Sequence, residues 1–257
     1  MIMLDGADYD QQWLIDKARD DDFYYGALNK IALSSSSLKM LLDSPKTFYN
    51  VQTYGQKENS PALLQGRIIH TMILEPERFD EIFEVVEVAS KNTKKFKETQ
   101  ASTTKTCITT KDLHQGERIV DAFQRNEHAK YFLKQSQTEK PMVDMLGGFP
   151  FRAKADIWND SFLADIKTTT DLKAFRYSAD KYGYDMQCYL YCNLFQRSYK
   201  DWYFIVLDKA SCDIGIYDVS EEFYKRGEAK FNRALAIYKD FFVKGNDLDS
   251  YIIRDTL

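Results

Sequence analysis

Short apolar runs alternate with polar turns along the chain, and the pattern is clearest in residues 151–170, which read FRAKADIWNDSFLADIKTTT. In residues 153–157, alanine and isoleucine alternate with polar partners, and a second apolar run covers residues 162–166. The polar triplet at 159–161 separates the two runs. Apolar runs of this length, bounded by turn residues, predict the two strands of a β-hairpin.

The same pattern predicts elements on both sides of this hairpin. Ser34 before an apolar run, and prolines at positions 45 and 61, are typical of helix starts. A strand at 137–146 leads through two glycines into the hairpin, so three consecutive strands should form an antiparallel meander. The other expected elements are helices within 112–134 and at 171–180, 184–195 and 221–242, and strands at 83–88, 202–207 and 212–219. The fold class is therefore expected to be α/β.

Charged residues interrupt the apolar pattern of the hairpin. Asp156, Asp165 and Lys167 stand where core strands carry apolar side chains, although aspartate and lysine are rarely buried unpaired. Residues i and i+2 of a strand share a face, so Asp165 and Lys167 project together, and Asp156 can meet them across the hairpin. Converging carboxylates favour Mg²⁺ or Mn²⁺, and a neighbouring lysine can hold an attacking water or the charge on a phosphoryl group. The alternative is an ordinary hairpin with a weak surface ion pair.

Two pairs of residues share helix faces at i, i+4 spacing. Gly66 and His70 form the first pair, and a glycine inside a helix, which costs about 1 kcal/mol against alanine, often marks a close approach. His70 could bind a metal or a phosphate, or it could be a histidine satisfied by a neighbouring group. Gln187 and Tyr191 form the second pair. Gln187 could fix a phosphate or a metal-bound water, and Tyr191 could hydrogen-bond or stack, or the two could be the polar side of an ordinary helix.

Composition narrows the class of protein. The 257 residues are enough for one large domain, and the net charge of −4 argues against nucleic-acid binding by the whole surface but not by a local basic patch. Residues 90–111 carry six lysines among threonines and serines. We expect this segment to be an exposed loop that is either simply solvated or touches phosphates. Residues 1–30 are acidic and dotted with aromatic residues, and are expected to form an N-terminal arm.

The cysteine pattern and the hydropathy of the sequence indicate the cellular compartment that we expect for the protein. The four cysteines form no CxxC pair, which favours reduced thiols over zinc sites or disulfides. The N-terminus lacks a secretion signal, and no apolar run approaches the length of a membrane span. We expect a soluble cytoplasmic protein without a membrane partner.

Four blocks in a fixed order resemble the PD-(D/E)xK nuclease superfamily, and within it the exodeoxyribonuclease VIII and RecB-type exonuclease branch. The blocks are Gly66–His70, Ala155-Asp156, Asp165–Thr168 and Gln187–Tyr191. The resemblance covers residues 31–219. It implies a restriction-endonuclease-like core, with a central mixed sheet flanked by helices. It also implies one nuclease domain at 31–257, with a basic insertion at about 90–111 and a catalytic core at about 137–219.

The resemblance implies a role for each matched residue. Asp156 and Asp165 would bind the metal, with His70 and the carbonyl of Ile166 as further ligands, and Lys167 would orient or activate the attacking water. Gln187 and Tyr191 would line the site and contact the DNA backbone, and Glu139 would serve as a supporting acid. The expected DNA contacts are Arg67, Lys94, Lys95, Lys97, Gln187 and Tyr191. An iron–sulfur cluster is rejected, because no cysteine precedes His70 and two of the four lie inside the Gln–Tyr helix.

The expected function is a Mg²⁺-dependent exonuclease, with Mn²⁺ as a substitute. It would digest linear double-stranded DNA from its ends, 5′ to 3′, and leave 3′ single-stranded tails for a single-strand annealing protein. Members of this branch look like ring-shaped homo-oligomers around DNA. The enzymatic alternatives are a single-strand exonuclease and an endonuclease on the same core. The alternative from another class is an inactive DNA-binding or assembly protein.

Overall fold

The computed structural model describes residues 2–4, 6–55 and 60–253, so both the predicted arm (1–30) and the predicted nuclease domain (31–257) lie partly outside the described residues. Within this part, no helix is both long and apolar enough to cross a membrane. The described strands are β1 (Ile2–Leu4), β2 (Ala7–Tyr9), β3 (Phe83–Val86), β4 (Thr106–Thr109), β5 (Gln137–Leu146), β6 (Phe149–Trp158), β7 (Leu163–Thr169), β8 (Trp202–Asp208) and β9 (Ile214–Asp218). The described α-helices are α1 (Gln11–Lys17), α2 (Leu28–Ile31), α3 (Ser35–Asp43), α4 (Pro45–Tyr54), α5 (Pro61–Leu74), α6 (Phe79–Ile82), α7 (Lys94–Ser102), α8 (Thr110–Arg125), α9 (Glu127–Tyr131), α10 (Phe175–Lys181), α11 (Tyr184–Leu194) and α12 (Glu221–Tyr238).

A mixed five-stranded sheet in the order β5-β6-β7-β8-β9 forms the centre of the fold. Strands β5, β6 and β7 are antiparallel neighbours, β8 runs parallel to β7, and β9 runs antiparallel to β8. The expected meander and the expected central mixed sheet are therefore confirmed. Strand β8 is apolar at almost every position because both of its faces are covered: Phe204 packs into one core and Ile205 into the other.

The hairpin of β6 and β7 opens soon after its turn. Only two residue pairs join these strands, Ile157 with Ala164 and Trp158 with Leu163. In the same register the next pair would be Asp156 and Asp165, and there the backbone ladder stops. Strand β7 instead pairs with β8 over its whole length. The result is a fork between β6 and β7, and both aspartates stand at the point where it opens.

Helices cover both faces of the sheet. Helices α3, α4, α11 and α12 contribute to one core, with Leu41, Leu190 and Phe231 among its buried side chains. Helices α5, α8 and α9 contribute to the other, with Ile69 and Phe123 buried there. The site residues of α5 and α11 therefore approach the fork from helices that belong to two different cores.

The helix starts expected from sequence are confirmed. Ser34 and Ser37 form a reciprocal capping box at the start of α3, and prolines open α4 and α5. One start differs: the helix expected at 171–180 begins only at Phe175. The carboxylate of Asp171 accepts backbone hydrogen bonds from Lys173 and Ala174, which forms a turn ahead of the helix.

The prediction of an exposed loop at 90–111 was wrong. Helix α7 and strand β4 occupy most of this segment, and β4 runs parallel to β3. The physical reason is a small apolar core: Phe96, Cys107 and Ile108 are buried. Their few side chains are dispersed among lysines, threonines and serines, so the composition hid the secondary structure.

The N-terminal segment is folded against the sheet. Strands β1 and β2 form an antiparallel hairpin, and Leu4, Leu14 and Leu28 are buried together with Val143 of β5. A π-helical turn at Phe23–Ala27 leads into α2. Gln11 also donates a hydrogen bond to the Val143 carbonyl. The described residues before 32 thus share a core with β5.

Candidate active site

Three groups converge where the fork opens. The carboxylate of Asp156 on β6 accepts a hydrogen bond from the backbone N–H of Ile166 on β7, at 2.7 Å. His70 reaches over from α5, and its Nε2 lies 3.2 Å from Asp156 Oδ2 and 2.8 Å from the Ile166 carbonyl, to which it donates. The structure therefore brings together the predicted ligands Asp156, His70 and Ile166.

Glu139 joins this group from β5. It stands opposite Asp156 in the register of β5 and β6, and its φ of +48° is unusual for a residue with a side chain. Its carboxylate lies 3.9 Å from Nδ1 of His70, and ligand atoms of His70, Glu139 and Asp156 lie within 4.8 Å of one another. Backbone strain of this kind is found where a side chain must be aimed at a site. Glu139 therefore faces the second ring nitrogen of His70.

Asp165 forms the other half of the site with Lys167 and Gln187. Gln187 of α11 donates to Asp165 Oδ1 at 2.6 Å, and the Lys167 ammonium lies 2.5 Å from Oδ2. Asp165 is only 2% exposed, and Oδ2 accepts no hydrogen bond of regular geometry from the described residues. Lys167 and Asp165 thus form an ion pair, but its geometry is not that of a regular hydrogen bond.

Burial and charge shift the titration of these groups. Burial and the charge of Asp165 raise the pKa of Asp156 to about 7, although His70 pulls it down. Burial alone would lower the pKa of His70, but Asp156 and Glu139 raise it to about 10. Burial would also lower the pKa of Lys167, yet Asp165 raises it above its ordinary value. At neutral pH and without a bound ion, Lys167 is therefore an ammonium and His70 an imidazolium, and Asp156 is close to the midpoint of its titration.

The residues present fit a divalent cation. The donor set is carboxylate, carbonyl and imidazole, which suits Mg²⁺ and Mn²⁺ among the common metals. Ligand atoms of His70, Glu139 and Asp156 lie within 4.8 Å of one another, and the Asp165 carboxylate, paired with Lys167, is near enough for its charge to raise the pKa of Asp156. His70 would bind the ion as the neutral imidazole, so metal binding would displace the proton that it now donates to the Ile166 carbonyl. Asp156, Asp165, His70 and the Ile166 carbonyl could therefore hold the ion.

Tyr191 is placed differently from the expectation. It is buried, its hydroxyl donates to the Lys154 carbonyl at 3.3 Å, and its ring packs against Trp202. This burial speaks against the expected contact of Tyr191 with the DNA backbone. Tyr184 lies nearer the chemistry, because the Lys167 ammonium sits 4.6 Å from the centre of its ring. Its position three residues before Gln187, on the same helix face, was the sequence signal for it.

Arg67 and the α7 lysines lie apart from this cluster. The Arg67 guanidinium donates to Thr106 at 3.3 Å and lies over the Phe83 ring, so it braces the pair of β3 and β4. Lys94, Lys95 and Lys97 are exposed on α7, and Lys94 pairs with Glu98 at 3.7 Å. Among the described residues, none of these four side chains hydrogen-bonds to the carboxylates of the fork. Their roles in DNA binding stay predictions.

A partly buried ion network next to the fork was not anticipated. Lys154 is two residues before Asp156 on β6, and its ammonium lies 2.6 Å from the Asp21 carboxylate. Asp21 also accepts from Arg78 at 2.6 Å, and Arg78 donates to Glu75 at 2.7 Å. The network links the N-terminal segment, the end of α5 and strand β6. The alternation of Lys154 and Asp156 along β6 was the one sequence signal for it.

The sequence matches a described protein family. Residues 34–246 match the family described as "PDDEXK-like domain of unknown function" (DUF3799). The matched range contains every residue of the fork cluster, from His70 to Gln187. No curated protein matches the sequence.

Solved structures share the architecture. The crystal structure of a "Putative exonuclease" from Eubacterium rectale aligns with a TM-score of 0.64 and 18% identity, over 93% of this chain and 95% of that chain. A phage related exonuclease from Haemophilus somnus 129PT aligns over 86% of this chain and 99% of that chain, with 14% identity and a TM-score of 0.37. The first likeness shows a shared fold, and the second is too weak to support an argument.

Proposed function

The chain belongs to the family of PDDEXK-like domains described as DUF3799, and from this premise we propose that it is a divalent-metal-dependent nuclease acting on DNA. One observation carries the proposal: Asp156, Asp165 and Lys167 meet where β6 and β7 separate. His70 there bridges Asp156 and the carbonyl of Ile166. A surface ion pair would not explain two buried aspartates and a half-buried lysine at the mouth of a fork.

Mg²⁺ is the proposed ion, with Mn²⁺ as a substitute. Asp156, Asp165, His70 and the Ile166 carbonyl would hold it. When bound, such an ion polarises a phosphoryl oxygen and makes water a better nucleophile at neutral pH. Glu139 faces Nδ1 of His70 and would fix the orientation of the ring.

Lys167 has a separate task in this proposal. Its raised pKa keeps it an ammonium, so it serves as a hydrogen-bond donor and positive charge rather than as a general base. Gln187 fixes Asp165, and Tyr184 supports the ammonium from the side. The lysine would orient the attacking water and stabilise charge that develops on the phosphate.

We propose that the substrate is the end of linear double-stranded DNA, degraded 5′ to 3′ to leave a 3′ single-stranded tail for recombination. The exonuclease mode is the activity in the printed name of the Eubacterium rectale protein with the shared fold. A ring-like homo-oligomer would keep the enzyme on its substrate, and a single-strand annealing protein would receive the tail. Sedimentation of the full chain with and without duplex tests the oligomer directly.

The test uses a linear duplex labelled separately at each 5′ and 3′ end, beside a closed circle and a single strand. The proposal expects early release of 5′-labelled mononucleotides from the linear duplex, with Mg²⁺ or Mn²⁺ and not with chelator. Asp165→Asn, which keeps the size of the side chain, should abolish release. Lys173→Gln, an exposed change on the turn before α10, is the matched control and should not.

Each contrary result points to a named alternative. Cleavage of the circle would replace the exonuclease with an endonuclease. Release from the single strand alone would make the enzyme a single-strand exonuclease. Absence of metal-dependent cleavage from all substrates, with retained DNA binding, would leave an inactive DNA-binding or assembly protein.

A further inference from the structure

A groove of about 800 Å³ runs along one side of α8, away from the carboxylate cluster. We call it the α8 groove. Five of its lining residues belong to α8, and residues 87–89 complete the lining. The α8 residues are Thr110, Lys111, His114, Gln115 and Arg118. Nothing in the proposed chemistry accounts for this surface.

The α8 groove has a basic face. Lys111, His114 and Arg118 follow each other at helical spacing, so they lie on one face, and all three are exposed. None of the three lies within ion-pair distance of a carboxylate in the described part of the chain. Glu87 is the single acidic residue among the lining residues. Two basic side chains and a histidine without a carboxylate partner among the described residues therefore line the groove.

Two other lysines of this region already have carboxylate partners. Lys91 pairs with Asp112 at 3.2 Å, and Lys105 lies 3.8 Å from Glu84. The contrast between these lysines and the open face of α8 argues that the α8 groove is more than an average charged surface. It offers positive charge that no carboxylate of the described residues neutralises.

One end of the α8 groove reaches the strand that carries the catalytic lysine. Arg118 donates to the Lys209 carbonyl at 3.1 Å, and the Lys209 N–H donates to the Thr169 carbonyl at 2.8 Å. Thr169 is the last residue of β7, two positions after Lys167. The Arg118 end of the groove thus adjoins the edge of the sheet at which β7 and β8 finish.

The other end points toward α7. Lys111 lies in the first turn of α8, and the adjacent Asp112 pairs with Lys91, just ahead of α7. Lys111 and Arg118 are seven residue steps apart on the helix, a distance of ~10 Å at 1.5 Å per residue. This is about three nucleotides of one strand at 3.4 Å each. The dimensions suit a short stretch of nucleic-acid backbone.

We propose that the α8 groove binds the sugar–phosphate backbone of a DNA strand that extends from the active site toward α7. This inference rests on the proposed nuclease function. Lys111 and Arg118 contact phosphates, and His114 and Gln115 hydrogen-bond to phosphate or sugar oxygens. The contacts carry no base information, so they would add affinity and not sequence preference.

The test measures binding of a fluorescent single strand and a fluorescent duplex in chelator, over a series of salt concentrations. The variant Lys111→Gln with Arg118→Gln removes two charges from the α8 groove. The control Arg233→Gln with Lys239→Gln removes two exposed charges from α12 and the residue after it. Loss of two phosphate contacts should reduce the slope of log affinity against log salt by about 1.4 on the single strand or about 1.8 on the duplex. The control slope should match wild type.

Two further variants guard the interpretation. Arg118→Lys keeps the charge, so its slope of log affinity against log salt should stay close to that of wild type. Lys111→Gln alone changes a side chain with no partner among the described residues, so it tests the charge without disturbing the contact of Arg118 with Lys209. A groove variant with the same slope as the control on both DNAs would overturn the groove proposal. Wild-type protein that neither binds nor cleaves DNA would instead overturn the proposed function. Intact metal-dependent cleavage with an unchanged slope would remove the groove proposal alone.

Discussion

Lys167 is held between partners of opposite chemistry, the carboxylate of Asp165 and the face of the Tyr184 ring. The carboxylate fixes its charge, and the ring limits where the ammonium can move. Asp165 is fixed in turn by Gln187. The lysine is therefore preorganised as a donor before substrate arrives, which is the condition under which a charged group accelerates a reaction most.

Lys167→Met should reduce the cleavage rate by about 10²–10³-fold, the usual loss when one preorganised donor is removed. Metal affinity, measured by calorimetry, should survive, since the carboxylates and His70 remain. Lys167→Arg should recover part of the rate because it keeps the charge. A Met variant within about tenfold of wild type would exclude the assigned role.

Asp21 should make stability depend on pH. Burial alone would raise its pKa, but hydrogen bonds from Lys154 and Arg78 lower the pKa below the ordinary 3.8. A lowered folded-state pKa contributes stability above the unfolded value, and that contribution is lost as the pH falls through the folded value. Asp21→Asn should therefore lower the melting temperature at neutral pH, and the difference from wild type should shrink below about pH 4.

The control for Asp21 is Asp249→Asn. Asp249 also pairs with a lysine, Lys46, but both side chains are mostly exposed, so the loss should be small. A constant difference between Asp21→Asn and wild type from neutral to acid pH would contradict the assigned ion network.

The sequence was sufficient to predict the hairpin, the meander and the flanking helices, because long amphipathic or alternating patterns of apolar residues indicate helices and strands directly. The cluster of Asp156, Asp165 and Lys167 was predictable for a related reason, since charges inside apolar strands need an explanation. Helix α7 and strand β4 were missed because three buried side chains, Phe96, Cys107 and Ile108, are too few to dominate a polar segment. The Asp21 network was missed because it joins residues more than a hundred positions apart, and no local pattern reports such a contact.

Gly227 and Gly66 show that the packing around a helical glycine decides whether it can be replaced by alanine. A Cβ on Gly227 of α12 would lie 2.1 Å from the Asp185 carbonyl oxygen of α11, whereas one on Gly66 of α5 would meet Thr168 at an ordinary 3.5 Å. Gly227→Ala should destabilise the protein by about 1–3 kcal/mol, because backbone must move. Gly66→Ala should stabilise it by up to about 1 kcal/mol through helix propensity.

Urea unfolding of both alanine variants checks these values against wild type. Gln187 lies on α11, which the added methyl group of the Gly227 variant would displace. That variant should therefore also lose some activity, and the Gly66 variant should not. Equal stability of the two variants would mean that α11 and α12 can separate at little cost.

The N-terminal segment should be required for stability rather than dispensable. Removing residues 1–32 would expose Val143 and leave Lys154 buried without Asp21. We expect the truncated chain to melt at a clearly lower temperature or to aggregate, as measured by calorimetry and sedimentation. A truncated protein with the wild-type melting temperature would show that residues 1–30 are a separable arm, as the sequence suggests.

The opening of the fork has a consequence for how the site comes into being during folding. The β6–β7 hairpin alone supplies two residue pairs, so it cannot hold Asp165 and Lys167 in place. Their strand is fixed by β8, which the chain reaches only after two further helices. Parallel strands that are far apart in sequence pair slowly, because the chain loses the entropy of loop closure before the strand contacts contribute any stability. We therefore expect nuclease competence to emerge last in refolding, after most helical signal has returned.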